Sequence, residues 1–133
     1  MEDRNIRGRV EEFIGALHRV EREGEAAVDD LVALFAPDAR IVNSMTRRAQ
    51  DEPRGREAIR GFWSDYAAML RGSESRFAHV TVGDGVAGLF WTTHGSSSQY
   101  DGATLLEFDA TGHIALLRGY FDPEEFRERR QAA

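Results

Sequence analysis

With 133 residues, 41% of them hydrophobic and 10% aromatic, the chain is long enough to bury one core and too apolar to be a disordered segment. Its formal charge of −6 argues against a nucleic-acid-binding surface, and the absence of cysteine excludes disulfides, thiolate nucleophiles and thiolate metal sites. All 17 basic residues are arginine, a bias of composition rather than a functional signal. In chain order, the charged start Met1-Glu2-Asp3-Arg4-Asn5 leads into no apolar leader, and no later run approaches the roughly 20 residues of a membrane span, so a single cytoplasmic domain over 1–133 is expected. Ile6, Val10, Phe13, Ile14, Leu17 and Val20 recur at helical spacing and predict a first helix through Glu21. Glu23-Gly24-Glu25 breaks that pattern, and Val28, Leu31, Val32, Leu34 and Phe35 predict a second helix that stops before Pro37. Ala39 to Met45 reads as a strand and 46–53 as a polar loop. A third helix follows Gly55 on Ala58, Ile59, Phe62, Trp63, Tyr66, Met69 and Leu70, ending at Gly72. Strands are then predicted at 76–83, 86–95, 99–108 and 113–121, parted by Gly-Asp-Gly, Gly-Ser-Ser-Ser and Asp-Ala-Thr-Gly turns. Helices first and a strand meander second predict an α+β fold, with one curved antiparallel sheet wrapped over three N-terminal helices and a short C-terminal helix after it.

The tail from Gly112 to Phe126 carries the most specific pattern: a turn glycine, an apolar strand ending Tyr120-Phe121-Asp122, and Pro123-Glu124-Glu125 opening a helix. It resembles the last strand of the cone-shaped, cystatin-like domains of the nuclear-transport-factor-2-like superfamily, most closely its limonene-epoxide-hydrolase-like and polyketide-cyclase-like members. Phe13-Ile14-Gly15-Ala16-Leu17, Leu34-Phe35-Ala36-Pro37-Asp38 and Gly55-Arg56-Glu57-Ala58-Ile59 are similar to other fold markers of that group, so the resemblance covers nearly the whole chain. The segments around 21–27 and 44–53 are longer than in the family. The resemblance implies a cone cavity and, in the hydrolases, a site of five polar groups. Their tyrosine and asparagine on strand one correspond to Ile41 and Asn43, their Arg-x-Asp pair to Trp91 and Thr93, and their last aspartate to Gly119. Only the asparagine is kept, so epoxide hydrolysis by that arrangement is not expected.

Strand alternation gives the lining independently of the family. With Asp109-Ala110-Thr111-Gly112 as the turn, Phe108 opposes His113, Leu106 opposes Ala115, Thr104 opposes Leu117, Gly102 opposes Gly119 and Tyr100 opposes Phe121. The Gly102–Gly119 pair marks either a bend of the sheet or space for a ligand. Leu89, Trp91 and Thr93 then face inward with Ile41, Asn43 and Met45, while Phe90, Thr92 and His94 face outward. Trp63 and Tyr66 share a face of the third helix. The expected ligand-lining set is Asn43, Trp63, Tyr66, Trp91, Thr93, Tyr100, Thr104, Leu117, Gly119 and Phe121, an aromatic cavity with no carboxylate pair and no histidine–carboxylate pair. Trp63 and Trp91 fit ligand stacking and core packing equally.

Other chemistry-bearing residues read as structural. His94 reads as a surface or interface residue, His18 as solvated and His113 as part of a turn, while the resemblance matches His79 to a non-catalytic histidine of the hydrolases and so implies a structural role. None of the four has metal-like spacing, so no metal and no cofactor are expected. Asp122 with Pro123 and Glu125 reads as a capping box, and Arg127, Arg129 and Arg130 as a solvated helix end. Two functions follow as expectations. One is a binding protein for a small apolar, ring-bearing ligand, extending to an isomerase-, cyclase- or hydrolase-like enzyme of undefined reaction. The other is a non-catalytic module with a filled cavity that dimerises through Phe90, Leu105, Leu116 and Tyr120 on the outer sheet face.

Overall fold

A computed structural model describes residues 2–43, 52–95 and 99–121. Helix α1, Asp3–Glu23, buries Ile6, Val10, Phe13, Leu17 and Val20, a stripe at alternating spacings of four and three that keeps one face on the core. It ends at Gly24, whose φ of 75° lets its N–H return to the Val20 carbonyl. A 3₁₀ turn, Gly24–Ala27, runs into the short helix α2, Val28–Val32. Helix α3, Gly55–Leu70, buries Ile59, Trp63, Ala67 and Leu70. Gly72 N–H donates to the Glu21 carbonyl, so the ends of α1 and α3 are tied together.

The second helix is shorter than the sequence predicts, and strand β1, Phe35–Asn43, begins earlier. Pro37 holds Ala36 in extended backbone. The Phe35 carbonyl accepts from the Arg56 guanidinium of α3 (Nη2 at 3.0 Å, Nε at 3.2 Å) and is lost to any helix. The meander follows as β2 (Glu74–Gly83), β3 (Val86–His94), β4 (Gln99–Phe108) and β5 (Ile114–Phe121), in sheet order β1-β5-β4-β3-β2. The meander is antiparallel, but β1 lies parallel to β5, so the sheet is mixed rather than antiparallel throughout. A strand that enters an edge through a helical connection carries no hairpin constraint on its direction. The expected C-terminal helix and the Asp122 cap lie outside the described residues, as do Met45 and most of the predicted polar loop.

The β4–β5 register differs from the expected one by two residues. The connecting turn is wider, with Asp109 N–H donating to the His113 carbonyl, so Phe108 pairs with Ile114. Asp109 Oδ1 accepts from the backbone N–H groups of Thr111 (2.9 Å) and His113 (3.0 Å) and from Thr111 Oγ1 (2.6 Å), which holds its carboxyl below the usual range, the Thr111 hydroxyl contributing most. A bulge at Ala115 then adds a second residue. Gly102 therefore faces Phe121 and Gly119 faces Thr104, and the expected pairs of Gly102 with Gly119 and Tyr100 with Phe121 do not form. Two slips of one residue restore the original parity, so Leu117, Gly119 and Phe121 still point to the inner face.

Candidate ligand cavity

The concave face of the sheet and helices α1 and α3 line a half-open cavity of about 900 Å³, within the range of small-molecule sites. All ten residues of the expected set line it, joined by Phe13, Leu17, Phe62, Met69, Ser75 and Phe77. Helix spacing supplies Trp63, Tyr66 and Met69 from one face of α3, and strand alternation supplies Trp91 with Thr93, and Leu117 with Gly119 and Phe121.

The two tryptophans are placed differently. Trp63 is a core residue that shows one edge to the cavity, with ring centroids 5.0 Å from Phe62, 5.1 Å from Tyr66, 6.2 Å from Phe35 and 6.4 Å from Phe13. Its indole nitrogen is buried and has no hydrogen-bond partner among the described residues. Trp91 packs edge-on against Tyr100 at 5.7 Å and donates from Nε1 to Thr104 Oγ1 at 2.9 Å. Its ring covers Gly102, where an added Cβ would sit 2.3 Å from the indole. Gly102 is thus neither a gap nor open ligand space; its missing side chain is the seat of Trp91. At Gly119 the corresponding contact is Asn43 Cβ, 3.3 Å away.

The polar end of the cavity is built around a residue that the sequence reading did not place there. Glu21, at the end of α1, is 2% exposed. Its Oε2 accepts from Ser75 Oγ at 2.6 Å and Tyr66 Oη at 3.0 Å, and its Oε1 accepts from Ser75 N–H at 3.2 Å. Ser75 Oγ lies 2.8 Å from Thr93 Oγ1. A buried carboxylate requires such donors, because desolvation without them is costly. The signal was available: Glu21 follows Leu17 by four residues on the apolar stripe, where a charge is out of place. His18, expected to be solvated, is half-buried beside this network, with Nε2 2.8 Å from the Ser75 carbonyl and its ring against Phe77. Glu21 stands behind this wall, whereas Glu52 and Asp65 line the cavity directly, Glu52 in ion pairs with Arg54 (3.4 Å) and Arg40 (3.6 Å). The sequence reading had assigned no acid to this cavity. His79 and His94 lie on strands β2 and β3, and His113 is held in its turn by Thr111 Oγ1 at 2.8 Å.

Burial, and secondarily the negative charge of Glu21, push the Tyr66 phenol well above its ordinary value of 10.0. The neutral form is the one the folded chain favours. Stability from this group is therefore complete below pH 10 and is lost as pH rises through the raised value, because the unfolded chain ionises first. The chain has no lysine and no cysteine, so few other side chains compete for this pH range. Thermal melts between pH 9 and 11 should therefore fall more steeply for the parent chain than for Tyr66→Phe, whose melting temperature is lower at pH 8 but flatter with pH.

Residues 10–117 match the SnoaL-like domain family, and the chain belongs to that family, within the nuclear-transport-factor-2-like superfamily. No curated protein sequence matches the chain. Among solved structures, a Kribbella flavida protein described as a ketosteroid isomerase superposes with a TM-score of 0.73 at 16% identity, covering 90% of this chain and 79% of that one. The epoxide hydrolase/cyclase-like enzyme SalBIII, of pyran ring formation in the polyether salinomycin, gives a TM-score of 0.73 at 13% identity and covers 93% and 95%. A de novo designed protein with a curved β-sheet gives 0.74 at 20% identity, over 99% and 96%. At these identities the likeness is one of fold. The fold is α+β and cystatin-like, and no helix among the described residues is long and apolar enough to cross a membrane.

Proposed function

We propose that this chain is a single cytoplasmic domain that binds a small apolar, ring-bearing molecule in the cone cavity, with Asn43, Trp63, Tyr66, Trp91, Thr93, Tyr100, Thr104, Leu117, Gly119 and Phe121 around it and no cofactor. The observation that carries the reading is a half-open cavity of about 900 Å³ that Trp63 and Trp91 leave unfilled, with mostly aromatic and apolar walls and a few polar groups, as small-molecule sites have. The isomerase- and cyclase-like neighbours support a small-molecule role and extend it to an enzyme of that general type. Epoxide hydrolysis by the hydrolase's own arrangement is not part of the reading, because Ile41, Trp91, Thr93 and Gly119 stand where its polar groups would be; limonene oxide should remain unconverted by the purified protein. Native mass spectrometry of freshly purified protein tests the binding directly. Asn43→Leu, at the mouth of β1 opposite Gly119, should abolish retention of the bound mass while leaving the melting temperature within a few degrees. Unchanged retention with a lowered melting temperature would make Asn43 a structural link instead.

A second reading concerns assembly. Phe90 and Tyr120 are 48% and 55% exposed on the convex face. Both are in register with Ala103 of the intervening strand, so they stand two strand spacings, about 10 Å, apart. With half-buried Leu105 and Leu116 beside them, and both Arg118 and Glu107 on the same face, the patch is suited to pair with a second copy of itself. Such a homodimer should bury about 1,000 Å² or more in total. Sedimentation at micromolar concentration should show twice 14.9 kDa, and Phe90→Glu should return the monomer. A parent chain sedimenting only as monomer would contradict this second reading.

A further inference from the structure

We propose that Glu21, bonded behind Tyr66 and Ser75, makes the Tyr66–Ser75–Thr93 part of the cavity wall a hydrogen-bond acceptor, and that the ligand is an apolar ring compound presenting a hydroxyl group to it. The proposal rests on the cavity-binding reading above and adds the polarity of the polar group recognised.

Glu21 is the acceptor in all three of its hydrogen bonds, so Ser75 Oγ and Tyr66 Oη each spend their single hydroxyl hydrogen on Oε2. Ser75 Oγ then has no hydrogen left for Thr93, so in the 2.8 Å bond between them Thr93 is the donor and Ser75 the acceptor. The hydroxyl hydrogens of Tyr66, Ser75 and Thr93 thus all run toward Glu21. What Tyr66 and Thr93 have left for the cavity, which both line, is lone pairs. A ligand hydroxyl or other donor meets a ready partner there, whereas a carbonyl or ether oxygen faces oxygen lone pairs and loses its water without replacement. Charge-assisted chains polarise along their length, which strengthens the acceptor at the far end. Near Trp91 the wall has the opposite sense: Thr104 Oγ1 already accepts the indole N–H, so its own hydrogen can be given away. The two parts of the wall therefore differ in polarity, and the part backed by Glu21 selects the donor.

Three bicyclic probes of nearly equal size separate the possibilities: 2-tetralol, which donates; 2-tetralone, which only accepts; and tetralin, which does neither. The account expects 2-tetralol to bind the parent protein at least about tenfold more tightly than 2-tetralone, the effect of about one such hydrogen bond. In Glu21→Gln the amide can donate to Ser75 and Tyr66, which frees their hydroxyl hydrogens for the cavity, and the alcohol-to-ketone ratio should fall to within about twofold. Ser75→Ala removes the Thr93 link together with one donor to Glu21, while leaving the glutamate itself and its Tyr66 and Ser75 N–H donors in place. It should lower the ratio as well, and it keeps the test available if Glu21→Gln does not fold by circular dichroism. If 2-tetralone binds as tightly as 2-tetralol, or the ratio survives both substitutions, the polarity assignment is wrong while the cavity still binds rings. If none of the three binds, tetralin included, the cavity-binding reading falls and this inference with it.

Discussion

Glu21→Ala should be the most destabilising single change in the inner wall, by about 4 kcal/mol, which for a domain of this size is a fall of about 15 °C in melting temperature. The substitution strands the Tyr66 hydroxyl, the Ser75 hydroxyl and the Ser75 N–H at once, all in or beside a buried site. It also leaves a void where the carboxylate was, at the junction that Gly72 N–H ties to the Glu21 carbonyl. Glu21→Gln keeps an acceptor for Ser75 N–H and lets the two hydroxyls rotate, so its cost should stay near about 1 kcal/mol. Chemical denaturation of the two variants checks the contrast. Equal, small losses from both would mean that the carboxylate is not the hub of this wall.

Gly102→Ala should cost about 2–3 kcal/mol, although glycine to alanine in a strand would otherwise be neutral or favourable. An added Cβ would lie 2.3 Å and 2.4 Å from two indole carbons of Trp91 and 2.7 Å from the Tyr120 carbonyl oxygen. The carbonyl belongs to the sheet and cannot rotate away. Moving the indole breaks its bond to Thr104 and its edge contact with Tyr100. A loss of Trp91 near-ultraviolet dichroism together with the drop in stability is the expected signature. Gly88→Ala makes a useful contrast, since its nearest neighbour is Thr81 Oγ1 at 2.9 Å, the end of a side chain that can turn.

The fold was legible because its signals are periodic. Helical spacing located α1 and α3, and alternation with turn residues located β2 to β5, since each depends only on neighbours along the chain. The lining was legible for a subtler reason. The β4–β5 register was displaced by the wider Asp109–His113 turn and again by the Ala115 bulge, yet two one-residue slips leave inner and outer faces as they were. What alternation could not show was which residues meet: Gly102 with Gly119 was an error of register, and the indole that fills the space over Gly102 comes from a different strand. The early end of α2 depends on Arg56 taking the Phe35 carbonyl from 21 residues away, and the direction of β1 on its pairing with β5, both beyond any local pattern. Glu21 escaped notice because a glutamate near the end of an amphipathic helix usually faces water. Its place on the stripe was the sign that it does not.

The cavity itself is the central claim, and calorimetric titration of the parent protein with tetralin tests it with no polar group involved. The account predicts saturable binding at one site per chain, with a negative heat-capacity change as the aromatic walls and the ligand leave water. The absence of any saturable heat up to the solubility limit of tetralin, at several temperatures, would contradict it.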